Sequence, residues 1–248
     1  MKVSLITASY NSAATIEDTI KSVTSQTYKN IEYIIIDGAS SDNTLDIANS
    51  CIEGEHVIFS APDKGIYDAM NKGITAATGD VIGIINSDDM YQDMHVIKEV
   101  MSHFESDPEL DIVYGDLVYV KADDVNKVVR KWHSAPYYPG FFEHANVPPH
   151  PTLFLRKKVY EKVGLFNLQY QLASDYEFML RTFKKFNFKS LYIPRLMVKM
   201  RLGGATNKSL WNIFKGNKEI LSAWRSNGLK VPFLLMPWRF MKRLIQFI

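Results

Sequence analysis

At 248 residues, with 46% hydrophobic, 12% aromatic and 23% charged side chains, the chain is long enough to bury a sizeable core, and its composition excludes disorder, collagenous repeats and low complexity. A net charge of +2 lacks the strong basic footprint of a phosphate-driven nucleic-acid binder, so no nucleic-acid partner is expected. Cys51, the only cysteine, excludes an internal disulfide or a multi-thiolate zinc cluster and suits a reducing compartment.

The N-terminal MKVSLITASYN enters a strand-like run without an apolar leader and cleavage site, and the expectation is a protein that is not secreted. Strands are predicted at Val3–Thr7, Ile31–Asp37, Val57–Ser60 and Val81–Ile85. Helices are predicted between them at Thr15–Ser25, Thr44–Cys51 and Ile66–Ala77, with another near Val96–Phe104. This alternation predicts an α/β fold with a mainly parallel central sheet flanked by helices. After Asp111 the pattern turns to β-rich pieces at Ile112–Tyr114, Leu117–Lys121 and Val128–Lys131, then to a Pro- and aromatic-rich loop from Ser134 to Pro151 of the kind that carries substrate contacts. Helices at Lys157–Val163 and Tyr176–Phe186 and strands at Phe188–Ile193 and Val198–Arg201 follow, and everything from Leu210 onward reads as helix.

Beyond Glu219 there is no acidic residue, while Arg225, Lys230, Arg239, Lys242 and Arg243 supply five positive charges, so the first 219 residues carry a net −3. The longest apolar stretch there, Val231–Trp238, is eight residues interrupted by two prolines, far short of the roughly 20 needed to span a bilayer. On a helical wheel Phe240, Leu244 and Phe247 share a face beside the basic residues. Two readings stand for residues 231–248: an amphipathic helix lying on an anionic membrane surface, or a helix packed on the domain or on a second subunit.

In an open parallel sheet, ligands bind beyond the carboxyl ends of the strands. Here those ends are polar: Thr7-Ala8-Ser9-Tyr10-Asn11, Asp37-Gly38-Ala39-Ser40-Ser41-Asp42, Asp63-Lys64-Gly65 and Asn86-Ser87-Asp88-Asp89. Neither G-x-G-x-x-G nor G-x-x-x-x-G-K-[ST] occurs, which disfavours a dinucleotide dehydrogenase or a P-loop enzyme. Adjacent Asp88 and Asp89 suit a hard divalent cation completed by water and substrate phosphate, or equally the cap of a helix.

Taken in order, ITASYNSAATIEDTIKSVTSQTYKNIEYIIIDGASSDNT, DKGIYDAMNKGITAATGDVIGIINSDD, HPTLFLRKKVYEKVGLFN and SDYEFMLR resemble the family 2 glycosyltransferases, which have the GT-A fold and use nucleotide-diphosphate sugars. The resemblance is greatest to the subset that builds bacterial surface polysaccharides. It implies a glycosyltransferase domain over residues 1–208, with a nucleotide-sugar half (1–120) and an acceptor half (121–208), and a helical extension over 209–248. It further implies that Thr7, Ala8, Ser9 and Asn11 line the nucleotide pocket, that Asp37 hydrogen-bonds the base, and that Asp42 and Asp63 complete the wall. The alternative for Asp37 is a turn residue before Gly38, and its place at a strand end favours the functional role.

Asn86-Ser87-Asp88 occupies the place of the family's D-x-D motif, implying donor contacts for Asn86 and Ser87 and a Mg2+ or Mn2+ ion on Asp88, supported by Asp89. Asparagine at the first position departs from that motif, and Met70 departs from the arginine common just before the equivalent of Asn71, itself a donor-side residue by the resemblance. Lys64 is a candidate to neutralise donor phosphate or a solvated surface lysine. Inversion needs one base, and the resemblance puts it at Asp175, whose alternative is a helix cap shared with Ser174. His150, between prolines, either orients the acceptor or makes a rigid turn. Arg201, followed by Gly203 and Gly204, stands where the family places a segment that closes over the donor phosphate. The implied partners are a nucleotide-diphosphate sugar, in first place a UDP-sugar, and a glycan acceptor that is lipid-linked. The implied location is the cytoplasm, at the inner face of a cell membrane. A non-catalytic nucleotide-sugar or glycan-binding module remains the competing reading.

Overall fold

The structure, a computed structural model, describes residues 1–52, 56–203 and 210–245, with side chains after Lys242 and that of Leu210 outside the description. Val3–Ser9 (β1) is buried at all seven positions because it is central and packed on both faces. It lies parallel to Ile31–Asp37 (β2) on one side and to Val81–Ile84 (β4) on the other, with His56–Ser60 (β3) parallel outside β2. Helices Ile16–Thr24 (α1), Thr44–Cys51 (α2) and Ile66–Ala76 (α3) make the crossovers. Alternate strand residues feed opposite layers: Leu5 and Ile35 pack with Ile16 and Ile20 of α1, whereas Ile6, Ile34 and Ile36 pack with Ala69, Met70 and Ile74 of α3. Met70 is buried in that layer and takes no part at the rim.

The second half departs from the parallel expectation. Leu110–Val120 (β6) is one long strand where two pieces were predicted, and Lys189–Arg201 (β9) likewise joins two. The interruptions are irregularities in one parallel pairing, where Gly115 faces the stretch holding Pro194, which has no N–H to donate. Phe154–Arg156 (β8) inserts antiparallel between β4 and β6, its Phe154 ring lying over Gly83 where a Cβ would approach within 2.4 Å. Met90–Tyr91 (β5) pairs antiparallel with β9, and Val128–Trp132 (β7) with β6. The order is β3-β2-β1-β4-β8-β6-β9-β5, with β7 beside β6. The sheet is therefore parallel in its first half and largely antiparallel beyond. β5 and β8 are too short to show a periodicity.

Val96–Ser106 (α4) joins α1 and α2 on one face. Lys157–Val163 (α5), Ser174–Lys185 (α6) and Leu210–Ser226 (α7) cover the other. The uninterrupted helix expected from Leu210 is broken. Gly228, at φ +70°, ends α7 with its N–H on the Arg225 carbonyl and the Leu229 N–H on Trp224, and Leu235–Ile245 (α8) begins afterwards. Nor does residue 208 mark a break in packing. Ile220, Ala223, Trp224 and Leu235 are buried in the same core as α6, and Trp224 Nε1 donates to the Tyr176 hydroxyl at 2.8 Å. α7 is a wall of the domain and not an appendix. No described helix is long and apolar enough to cross a membrane. Of the tail face read from the sequence, Leu244 and Phe247 lie outside the described side chains.

Candidate active site at the strand ends

The rim loops are stitched together by short polar side chains. Asp37 has no exposed surface: it accepts from Ser9 Oγ (3.2 Å), Ser60 Oγ (2.8 Å) and both the N–H (2.9 Å) and hydroxyl (2.5 Å) of Ser40, tying together the ends of β1, β2 and β3. Four bonds fill the acceptor capacity of a carboxylate. With those sites taken, Asp37 holds the loop main chain where three strands end. The carboxylate that does reach this corner is Asp63, half-exposed, which accepts the Gly65 N–H at 2.7 Å and lies so close over Gly38 that a Cβ there would meet its Oδ2 at 2.6 Å.

Thr7 and Ala8 are likewise buried, with Thr7 bonded to the Tyr33 hydroxyl at 3.0 Å. Asn11, exposed and at φ +47°, accepts the Ser41 N–H at 2.9 Å and donates its own N–H to Ser40 Oγ at 2.8 Å. Asp42 accepts the Ala13 N–H (3.1 Å) and the Thr44 N–H (3.0 Å) at the start of α2, and the bond from the Thr44 hydroxyl holds its pKa below the usual carboxylate value. Ser12 completes the stitching through Ser87, their hydroxyls 2.7 Å apart. Lys64 stands exposed just before α3, its N–H on Asp68.

Asp88 and Asp89 precede a strand, not a helix, so the cap reading falls away. Their environments differ. Asp88 is half-buried at the rim; Asp89 has no exposed surface and receives Asn86 Nδ2 (3.1 Å) and the Arg201 N–H (3.3 Å). Burial, then the charge of Asp88, push the Asp89 pKa well up. Asp89 thus lies beneath the rim that carries Asp88. Asn86 Oδ1 is buried with no hydrogen-bond partner. That amide oxygen and, two residues on, the Asp88 carboxylate offer oxygen donors only, the chemistry that fits a hard cation drawing its other ligands from water and phosphate. Among the described residues no cluster of three or more His, Cys, Asp or Glu side chains exists to hold a metal by protein ligands alone.

Arg201 belongs to the same loop network. Only 6% exposed, it donates to the Asp88 carbonyl at 3.0 Å and pairs with Asp18, so it braces the Asp88 loop from behind. Gly203 follows at φ +127°, and Gly204 lies outside the described residues. Asn71 is a clip: its Nδ2 donates to the Phe166 carbonyl and its Oδ1 accepts the Phe166 N–H, both at 2.9 Å.

Asp175 sits half-exposed in the first turn of α6. It is not a cap. Ala173 holds that position, Ser174 Oγ bonds the Asn167 carbonyl, and Asp175 Oδ1 accepts the Tyr67 hydroxyl at 3.0 Å. Burial, reinforced by the Asp175 charge, pushes the Tyr67 phenol far above its usual pKa, so it stays an O–H donor. His150, half-buried with its ring 5.6 Å from Phe166, has its pKa lowered by burial against the opposing pull of Asp175, which favours the neutral imidazole. The segment before α6 is held by Glu219 of α7, which accepts the N–H groups of Gln171 (3.2 Å), Leu172 (2.8 Å) and Ala173 (3.0 Å).

Sequence reasoning missed Tyr67, Ser12, Ser40, Ser60 and Glu219. Only Ser40 carried a local signal, since an aspartate three residues earlier is the setting of a side-chain-to-backbone turn.

α3 links the strand ends to α6. Asp63, just before it, overhangs Gly38 at the end of β2, and Tyr67, in its first turn, holds Asp175. Comparisons with known proteins agree with this architecture. The chain is 30% identical over 183 residues, covering 73% of it and 69% of the relative, to a PGL/p-HBAD biosynthesis glycosyltransferase of Mycobacterium bovis. It is 32% identical over 181 residues, 72% of the chain and 68% of the relative, to an uncharacterized glycosyltransferase of Mycobacterium tuberculosis. Among solved structures it is similar to S. aureus TarS 1-349 in complex with UDP-GlcNAc, with a TM-score of 0.69 and 18% identity over 97% of this chain and 79% of that one. It is also similar to a mannosyltransferase from Pyrobaculum calidifontis in complex with GDP-Man and Mn2+, with a TM-score of 0.64 and 16% identity over 98% and 74%. At those identities the structural likeness establishes the fold. The model of glycosyl transferase family 2 matches residues 4–179, and the chain belongs to that family.

Proposed function

We propose that this glycosyltransferase moves a sugar with inversion from a UDP-sugar to a growing, lipid-linked bacterial glycan, with Asp175 as general base. The observation that carries the reading is the placement of Asp175: a half-exposed carboxylate in a first helical turn, not spent on capping, fixed through one oxygen by a permanent donor and beside His150. A base so held meets the geometric demand of proton abstraction from an acceptor hydroxyl. His150, as neutral imidazole, orients that hydroxyl.

On the donor side, Asp63 faces the nucleobase and accepts its N–H, while Asp37, Ser9, Asn11 and Asp42 hold the loop main chain against it. The exposed Lys64 stands near the phosphates. Mg2+ or Mn2+ would be held by Asp88 and the Asn86 amide oxygen, with Ser87 beside them, and supplies positive charge at the leaving nucleotide diphosphate. A second contact, between residues 231–248 and the cytoplasmic face of the membrane, places the enzyme at its lipid-linked acceptor. Its support is the exposed Phe233, Trp238, Phe240 and Met241. Arg239 and Lys242 turn inward, Arg239 over the Tyr176 ring and Lys242 to Asn146, so the aromatic side chains carry this contact more than those two charges.

The test combines a thermal-shift screen of UDP-, GDP- and dTDP-sugars with and without Mn2+ and an Asp175→Asn variant assayed for nucleoside diphosphate release on supply of acceptor. Stabilisation by a UDP-sugar together with lost turnover in the variant is expected. Parental turnover in Asp175→Asn refutes the base assignment, and donor binding with no diphosphate release by the parent refutes the enzymatic reading in favour of a binding module.

A further inference from the structure

Tyr67 and Asn71 lie one turn apart on α3, and both reach across to the segment that carries Asp175. Asn71 grips the Phe166 main chain through two bonds, and the Tyr67 ring packs on the Phe166 ring at 5.7 Å, which leaves the Tyr67 hydroxyl aimed at Asp175 Oδ1, 3.0 Å away. The ring and the hydroxyl thus have separable jobs: the ring packs, and the hydroxyl meets the carboxylate. The alternative of a purely structural tyrosine would not require its polar atom to end on a half-exposed carboxylate in the first turn of α6.

We propose that Tyr67 is a positioning residue for the transfer reaction, its hydroxyl fixing the Asp175 carboxylate in a single rotamer from which the second oxygen meets the acceptor. This rests on the reading of Asp175 as base. In that reaction the acceptor oxygen bonds to the anomeric carbon as its proton passes to Asp175, and the bond from that carbon to the diphosphate breaks, its electron pair leaving with the nucleotide diphosphate. A carboxylate free to rotate would spend much of its time out of reach of that proton. Because α3 begins at the nucleotide corner, the helix that borders the donor also sets the base.

The test is Tyr67→Phe in the full chain, which keeps the ring and removes only the donor. It is read by steady-state kinetics with whichever UDP-, GDP- or dTDP-sugar the parent turns over, by UDP binding with Mn2+, and by a crystal structure of the variant. The expected result is a kcat lowered about tenfold, the scale of one lost hydrogen bond to a charged group, with donor KM and UDP affinity unchanged and the Asp175 side chain spread over more than one rotamer. An unchanged kcat, or a single undisturbed Asp175 rotamer in the crystal, overturns the proposal. An equal loss in KM and UDP affinity also overturns it, since it would mark a structural role. Asp175→Asn separates the two ideas: if that variant is inactive while Tyr67→Phe is as fast as the parent, only the positioning role fails, and if Asp175→Asn retains parental turnover, the base reading fails and the positioning role with it.

Discussion

Glu219 offers a quantitative test of whether α7 is part of the catalytic domain. Its carboxylate accepts three main-chain N–H groups in the approach to α6, from Gln171, Leu172 and Ala173, at 2.8 to 3.2 Å. Hydrogen bonds to charged groups contribute about 1.5–3 kcal/mol when buried. Glu219 is only half-buried and the Gln171 bond is long, so about 1 kcal/mol each is the appropriate scale, and Glu219→Ala should cost about 2–3 kcal/mol. Glu219→Gln keeps one oxygen to accept the two shorter bonds and should cost about 1 kcal/mol. Urea unfolding followed by circular dichroism reads both, and with slopes of about 1–3 kcal/mol per molar the alanine variant should unfold roughly 1 M earlier at unchanged slope. Turnover should fall as well, because the released segment leads directly to Asp175. A midpoint for Glu219→Ala indistinguishable from the parent, or a glutamine variant as damaged as the alanine one, would refute the claim that α7 holds up the acceptor wall.

Three further outcomes follow from the packing. Burial raises the pKa of Glu32, but hydrogen bonds from Ser4 and Thr78 and the charge of Lys2 outweigh it and hold it at about 2, so its carboxylate stabilises the fold fully above the unfolded value near 4.5 and loses that contribution as pH falls through about 2. On the order of 3 kcal/mol should therefore vanish across that window in acid denaturation of the parent, and Glu32→Gln should lack that component. Trp224→Ala removes a side chain 1% exposed and its bond to Tyr176, and should cost about 3–5 kcal/mol by chemical denaturation. Replacing Phe233 and Phe240, 97% and 67% exposed, by serine should leave stability unchanged yet lower co-sedimentation with phosphatidylglycerol vesicles. Undiminished sedimentation would remove the basis for membrane contact.

The parts of this molecule legible in its sequence are those whose cause is local. β1, β2 and β4 announce themselves as apolar runs followed by polar residues, because strands buried on both faces need continuous hydrophobicity and the rim needs the opposite, while the short β3 at the sheet edge is mostly exposed. β8 and β5 have two or three residues each and exist only because β4, β6 and β9 supply partners, so no periodicity reveals them. The same divide runs through the site. That Asp37 stands at a rim was readable; that its oxygens are filled by Ser9, Ser40 and Ser60 depends on three strand ends meeting. The Tyr67–Asp175 bond joins residues 108 apart, and Glu219 acts 46 residues from its nearest target, distances at which pattern carries no information.

Asn86 shows how burial explains a departure that motif reading leaves as a puzzle. Against the family pattern, asparagine is a weakened first aspartate. In the structure its Nδ2 is one of two hydrogen-bond donors to the carboxyl of Asp89, which has no exposed surface. An aspartate at position 86 would set oxygen against oxygen at 3.1 Å beneath the rim, where the pair must repel or take up a proton. Asn86→Asp, a change that restores the family's motif, should accordingly destabilise the fold by about 1–3 kcal/mol, the cost of leaving a buried acceptor without its donor. Denaturant unfolding at neutral pH measures it, and a variant as stable as the parent would show that Asp89 does not depend on Asn86. If the cost is found, the residue at position 86 is set by the buried acid below it as much as by the donor above, and a substitution toward the consensus is the wrong way to strengthen this site.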